Sequence, residues 1–582
     1  MIKEILEKIL NTLKKCCEKT HQNHKSEGKS EDEIKKILSE VLSINEQNIF
    51  TPSHKETNEI IEKIKGKEDF RQSDGLFSDD EKWYLVCKAT LDLSSLCDNM
   101  NNAIAQCNII FSECNISLND KQSENNRIVK TKLYFYNCTF EKTLNLKNII
   151  FEKTLTFNQC AFYNDLDIHQ NQFLDHLVFI NCHDNQDKKI TSLDLQENKF
   201  EGYLFIKNCA IEKINLWKNK FKNRCYFMDC EFGYKQDKDN QVKLNFSNIH
   251  FEYNAYFNNS EFYNYADFHE CEFDDIACFY GVRFEKTANF YGVRFEKTAN
   301  FYGVRFEKTP NFSQAIFKGN LNVVNTNLNF TFDNLEEKIE QEYEEFNKNK
   351  EDQKSLDKFA NDFRDSFRIF KSALIKDNNL LDASNFHKYE LYCKEIELKN
   401  KKYKTLKDKM DKWQLIFYRK LCDHHTDILQ SLNSLILVIG IFVISSVAMV
   451  VGFNYSLGYK PILEHWYFSL GFYNHHINSI IQDNCLLMIF VNLMILFIYL
   501  GLVGFALCLK YMREFFIIIS YVITLLVLAV SPKILIPAMG IFTDKRAMLD
   551  PLSVLGGIYT IVFGFVAFSF IKTIRKNSIV PS

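Results

Sequence analysis

Between Phe279 and Asn311 the apolar positions follow one rule. FYGVRFEKTAN occurs twice unchanged and a third time with Pro310 in place of alanine. The phenylalanines fall alternately five and six residues apart, at Phe279, Phe284, Phe290, Phe295, Phe301, Phe306, Phe312 and Phe317. A helix would set a period of 3.6 and a flat half-buried strand a period of 2. A beat near five predicts a coiled ribbon whose sides are each about five residues long, and the copying marks a structural repeat. Weaker copies extend upstream through Phe140, Phe151, Phe162, Phe173, Phe251, Phe262 and Phe273. Two residues before many of these large side chains stands a small one, as at Cys138, Cys160, Cys209, Cys230, Cys271, Ala288 and Ala299. Large and small residues are both predicted to point inward, in stacked layers, with the intervening polar residues facing water. The mixed spacing implies an extra residue at one corner in two.

The beat fails in other parts of the chain. Residues 1–82 read as a helical amino-terminal or capping region: Ile2, Ile5, Leu6, Ile9, Leu10 and Leu13 make one apolar stripe, and Ile34, Ile37, Leu38 and Val41 another. Lys3, Lys8, Lys14 and Lys15 offer a membrane-surface or partner-binding helix as the alternative, which interleaved glutamates weaken. Short apolar runs from Trp83 to Leu118 predict the first irregular coils, and the regular beat carries the β-helix, residues 83–332, to its end. The polar runs LNDKQSENNR before Ile128, DNQDKK before Ile190 and YKQDKDNQ before Val242 read as loops inserted at corners.

After Asp333 the period turns helical. Leu356, Phe359, Ala360, Phe363, Phe367, Phe370 and Leu374 share one face, and Phe386, Tyr389, Cys393 and Ile396 another. Asp382 or Ser384 is the expected N-cap of the second helix, so residues 333–427 predict a helical hairpin linker. Residues 428–582 form a membrane domain with four expected spans, at 431–453, 485–509, 515–531 and 552–571. The first has no charge and is about 34 Å long as a helix, enough for a bilayer core. Basic residues flank the first span (Lys401 to Lys420), the turn between the second and third (Lys510, Arg513) and the end of the fourth (Lys572, Arg575, Lys576). That balance predicts both termini and the repeat region on the cytoplasmic side, although Lys533, Lys545 and Arg546 oppose it.

Net charge is −3 over 582 residues, which argues against a general nucleic-acid binder. The 18 cysteines include no Cys-x-x-Cys pair and no zinc-type spacing. Many occupy the small inward slot, where a free thiol packs as a compact hydrophobe, and this suits a reducing compartment. The amino terminus lacks the apolar core of a signal peptide, so the expected starting compartment is the cytoplasm.

The small residue, then Asn or Asp, then central Leu or Phe resembles the pentapeptide-repeat family over residues 131–332. That resemblance implies a right-handed four-sided β-helix, about 40 Å long if eight or nine coils rise about 4.8 Å each. The segment FRIFKSALIKDNNLLDASNFHKYELYCKEIELKNKK is similar to the hairpin of bacterial pentapeptide-repeat membrane proteins, and MLDPLSVLGGIYTIVFGFVAFSFIKTIRK looks like the last helix of their channel-like domain. MGIFTDKRAMLD stands where those relatives carry a carbonyl-lined filter, so potassium selectivity does not carry over.

The whole therefore predicts a mixed fold: a solenoid flanked by helices, then a four-helix transmembrane domain. Candidate chemistry is sparse. His387 and Glu390, with Glu395 nearby, have a metal-like spacing, but no facing copy completes it. His475 and His476 are adjacent and read as an exposed loop pair. No nucleophile with a base, phosphate loop or paired carboxylates is recognisable, so no catalytic, cofactor or metal residues are expected. Gly556, Thr560 and Gly564 form a small-residue stripe, read as packing within a bundle or as an oligomer seam. The expected role is a cytoplasmic protein-interaction scaffold, tethered to the lipid bilayer, with an unknown protein partner and homo-oligomerisation open. An oligomeric channel-like sensor is the alternative. Mimicry of DNA against topoisomerases would need an acidic rod, whereas each repeat adds Arg283 and Lys286 against Glu285.

Overall fold

The protein is described by a computed structural model covering residues 30–67, 81–93, 107–118, 127–182, 190–235, 242–348, 355–459, 466–508, 513–530 and 549–577. The amino-terminal apolar stripe and the three inserted polar loops lie largely outside these residues. The chain divides into two compact units, Met1–Asn329 and Phe330–Ser582.

The first unit is a β-solenoid of about nine turns. Its short strands stack in parallel from coil to coil into sheets of twelve, nine, four and eleven strands. Register follows the sequence beat: Phe251 pairs with Phe273, Phe273 with Phe295 and Phe295 with Phe317, each 22 residues on. Where polar runs intervene the same pairing survives at longer spacing, Phe173 with Phe200 and Phe221 with Phe251. The runs are thus extra residues that leave the ladder intact.

The residue that lengthens the beat from five to six has a backbone cause. Left-handed residues recur every eleven positions, at Asn248, Asn259, Glu270, Gly281, Gly292, Gly303, Gln314 and Asn325, all with positive φ. Two such corners fall in each 22-residue coil, one for each step of six. Inside, the rings stack one coil upon the next: Phe279 lies 4.7 Å from Phe257 and 4.9 Å from Phe301, nearly parallel. Phe290 fills the gap edge-on to Phe279, at 5.5 Å and 89°. Offset stacks along the axis and edge contacts across it are the two arrangements aromatic rings prefer.

Both ends of the sheets are managed. Helix α1 (Glu31–Leu42) opens with a capping box, Ser30 with Glu33. Strand Ile49–Phe50 then pairs antiparallel with Trp83–Cys87, covering the first edge of the largest sheet. Helix α2 (Lys55–Lys67) lays Ile60, Ile61 and Ile64 on Trp83, Leu85, Ile110 and Tyr134. At the other end Pro310 falls on the last coil of its face, where the strand is reduced to the single bridge Asn289 to Asn311. A missing N–H costs least at such an edge.

In the second unit, helix α3 (Phe332–Lys348) precedes an antiparallel hairpin of α4 (Leu356–Lys376) and α5 (Leu380–Asn400). Ion pairs Arg364–Glu397 and Lys371–Glu390 (2.6 Å) fix the direction, since one partner moves up the chain as the other moves down. The N-cap of α5 is Asn379, not Asp382 or Ser384. Asn379 Oδ1 accepts from the Asp382 N–H (3.3 Å), and the helix begins at Leu380, which places Asp382 inside the first turn and Ser384 deeper, buried.

Helices α6 (Leu406–Cys422), α7 (Ile428–Ser456), α8 (Trp466–Asp483), α9 (Cys485–Cys508), α10 (Arg513–Val530) and α11 (Pro551–Asn577) complete the unit. Among the described residues three helices are long and apolar enough to cross a membrane: α7, α9 and α11. The expected span at 515–531 falls in α10, which is apolar but has only 18 residues before the described segment ends. Leu486, Phe490, Phe497, Ile518, Leu525, Ile561 and Phe568 are exposed on α9, α10 and α11. An apolar surface of that extent is unsuited to water and fits a bilayer.

Candidate functional site

Each predicted core phenylalanine can now be placed. Phe279, Phe284, Phe290, Phe295, Phe301, Phe306 and Phe312 are buried, and Phe317, in the last coil, is partly so. The small residues before them, including Cys138, Cys160, Cys230, Cys271, Ala288 and Ala299, are buried as well. Cys138 Sγ donates to the Phe111 carbonyl (3.2 Å), and Cys271 Sγ to that of Phe246 (2.8 Å). Burial pushes the Cys230 thiol up to about 12, so the reactive thiolate is scarce at neutral pH. These cysteines fill space.

What the solenoid offers to a partner is its outer surface, and that surface is ordered coil by coil. Asn311 Nδ2 donates to Asn289 Oδ1 (2.9 Å), and Asn289 Nδ2 to Asp267 Oδ1 (2.9 Å). Asp267 also takes Lys243 (2.5 Å) and His269 (2.8 Å), and these partners hold its carboxyl below the usual range against the opposing effect of burial. On other faces Arg294 pairs with Glu296 (3.1 Å), Lys318 with Glu296 (2.7 Å) and Lys297 with Asp275 (3.0 Å). Tyr280 and Tyr302 stack at 5.5 Å, with Tyr280 and Tyr291 exposed. Such exposed pairs contribute little to stability. They do give the outer surface a repeating pattern of charge and aromatic rings.

The hairpin residues that tempted a metal reading are tied up. Glu390 accepts from Lys371 and is bonded to His387 (3.2 Å), while Glu395 takes both Nε and Nη2 of Arg419 (2.8 and 2.7 Å). Among the described residues no group of three or more metal-type side chains converges. Arg419 also lies over the Phe332 ring at 3.7 Å, joining α3, α5 and α6 through one guanidinium.

Between α6 and α7 stands a feature that periodicity could not reveal. Asp423, His424 and His425 follow one another with φ of 46°, 56° and 66°. Three successive left-handed residues cost about 1–2 kcal/mol each. Tyr392 and Lys388 of α5 bind the Asp423 carboxylate, Tyr392 also packs on the His424 ring (5.8 Å), and His425 Nδ1 is bonded to Thr573 of α11 (3.0 Å). Burial and the Arg419 charge press His424 down to about 3, while burial and Lys572 press His425 down to about 4. The turn thus carries neutral imidazoles and holds α5, α7 and α11 at one point.

In the membrane helices the small-residue stripe divides. Gly556 is buried and its carbonyl accepts from Thr560 Oγ1 (2.8 Å), but Thr560 and Gly564 are exposed. Leu555, Tyr559 and Val566 form the inner face of α11 instead, with Tyr559 stacked on Phe442 at 4.0 Å. Within this chain Thr560 and Gly564 thus lie off the inner face of α11. The glycine that does permit close approach is Gly440 of α7. A Cβ there would stand 2.4 Å from Ser520 Cβ. A lone glycine in VIGIFV facing a lone serine in α10 was the available signal. His475 and His476 belong to helix α8, not to a loop: Tyr473, Ile477 and Ile481 are buried at helical spacing and leave the histidines to the outer side.

Comparison with known proteins matches one stretch. Residues 246–294 and 279–327 fit the family described as pentapeptide repeats (9 copies). No curated protein and no solved structure matches the chain.

Proposed function

The chain carries a pentapeptide-repeat β-solenoid, and on that premise we propose that it is an integral membrane protein whose solenoid serves as a scaffold for protein contacts. In this reading the solenoid coils right-handed through four sides and stands in the cytoplasm, both termini lie inside, and α7, α9, α10 and α11 cross a bacterial inner membrane. The observation that carries it is a repeat whose core is filled by phenylalanine while its outer faces repeat in charge and tyrosine, on the same chain as helices with an exposed apolar surface. Fold alone assigns no chemistry to such a surface. Photo-crosslinkers in place of exposed Tyr280 and Tyr291 should capture one defined protein in native membranes. Capture of nothing at either position would sink the scaffold role.

A second reading is an oligomeric channel-like sensor. It is favoured by Thr560 and Gly564, which lie on the outer side of α11 with Ile561 and Phe568, free to meet another copy. Light scattering of the detergent-solubilised chain separates the two: a symmetric oligomer with ion flux in planar bilayers supports the channel, and a silent monomer removes it.

A further inference from the structure

The ends of α6, α7 and α10 frame a cleft of about 310 Å³, half polar and half apolar in its walls. Lys420 comes from the last turn of α6, Asp427 caps α7, and Arg513 and Glu514 open α10. The framework around these charges is bonded in place. Gln430 Nε2 donates to the carbonyls of Arg419 (2.7 Å) and Lys420 (2.9 Å), closing α6 onto α7. Asp427 Oδ1 accepts from the Gln430 N–H (2.8 Å), Arg513 Nη2 donates to Ser434 Oγ (3.3 Å), and Tyr521 Oη donates to Asn433 Oδ1 (3.0 Å). Two cations and two carboxylates are thereby presented around one opening.

Position and charge together name an occupant. The cleft lies where polar sequence gives way to the apolar runs of α7 and α10, which is the depth of lipid headgroups if these helices cross a bilayer; the inference rests on that reading. Leu429 and Ile517 line the cleft on its apolar side, and Leu429 is exposed, so acyl chains have a surface to follow. A purely anionic headgroup would satisfy Lys420 and Arg513 but would bring no positive charge to Asp427 and Glu514. A choline headgroup has no N–H to give them. A phosphate linked to a primary ammonium answers both signs, and charge-assisted hydrogen bonds of this kind are the strong ones.

We propose that this cleft binds a phosphoethanolamine phospholipid, with its phosphate on Lys420 and Arg513 and its ammonium between Asp427 and Glu514. Basic pockets at the ends of membrane helices commonly take lipid headgroups. The paired carboxylates are what narrows the choice here.

The test is native mass spectrometry of the full-length chain from micelles containing equal phosphatidylethanolamine and phosphatidylglycerol. The wild type should retain the ethanolamine lipid about tenfold over the glycerol lipid. Asp427→Asn with Glu514→Gln keeps the cap of α7 and should reverse that preference, while Lys420→Gln with Arg513→Gln should lose both lipids. Equal retention of the two lipids, or a preference unchanged by Asp427→Asn with Glu514→Gln, would overturn the assignment. Displacement by millimolar soluble phosphoethanolamine would assign the cleft to a free phosphoester and overturn the lipid source; no displacement is expected. Alkaline carbonate extraction of the same preparations reads the membrane reading separately. A chain that resists extraction yet holds no lipid refutes the site alone, and one that is extracted refutes the spanning helices on which it rests.

Discussion

Glu270 and Gly292 hold the same corner of successive coils in the same left-handed backbone, with φ of 54° and 67°. A Cβ on Gly292 would touch only Glu270 Cγ, at 3.6 Å, so space is not what selects glycine there. The backbone is. Asparagine, which occupies this corner at Asn248 and the other at Asn259, tolerates this region, whereas β-branched residues do not. Gly292→Asn should leave thermal unfolding of the first unit unchanged. Gly292→Val should lower its stability by about 1–2 kcal/mol.

Coil length makes a second prediction. Leu321 continues the ladder of Ala277 and Ala299, each 22 residues apart. Removing residues 279–300 takes out one whole coil and keeps that ladder, so the shortened protein should melt close to the wild type. Removing only 290–300 turns everything after it by half a coil and takes Leu321 off its stack. Its melting temperature should fall clearly below that of the longer deletion, and equal values would contradict the register.

Much of the solenoid was legible because one signal, a large residue every five or six, answers directly to one physical demand, a narrow core. Phe273, Phe279 and Phe290 needed no tertiary information to be assigned inward. The corners were legible as a count but not as a conformation, since Glu270, Gly281 and Asn259 share no side-chain property beyond tolerating positive φ. The hairpin was readable from Phe363, Phe367 and Tyr389, but its cap was displaced to Asn379 because several polar residues in succession could each have started the helix. In the membrane helices periodicity is silent, as nearly every position is apolar. Inner and outer faces there depend on which residues a neighbour can approach, which is why the close contact of Gly440 with Ser520 leaves no periodic signal in the sequence.

Arg419 supports a third prediction. Its guanidinium binds Glu395, which is nearly fully buried, and covers Phe332. Arg419→Met leaves the Glu395 carboxylate buried without its cation, and should destabilise the second unit by about 3 kcal/mol in chemical unfolding. Arg419→Lys cannot reproduce the two-pronged bond and should recover less than half of the loss.

The turn at His424 predicts a pH dependence of definite sign. In the unfolded chain this imidazole takes up a proton near pH 6.5. In the folded chain it is held down to about 3, chiefly by burial and then by the charges of Arg419, His387, His425 and Lys576. A depressed histidine contributes stability that is complete above its unfolded value and is lost as pH falls toward the folded one. The second unit should therefore lose about 1.4 kcal/mol between neutral pH and pH 5.5 from this group. His424→Gln should flatten that part of the profile when unfolding is followed at both pH values.

The most direct measurement is the sidedness of the solenoid in sealed membrane vesicles. Protease is added to sealed right-side-out and inside-out preparations of the full-length chain, and a separate portion of each is extracted with alkaline carbonate. The account predicts that the chain stays with the membrane, and that residues before α7 are digested only in inside-out vesicles. Digestion of that region in right-side-out vesicles, or release of the chain by carbonate, would contradict a membrane-tethered cytoplasmic scaffold.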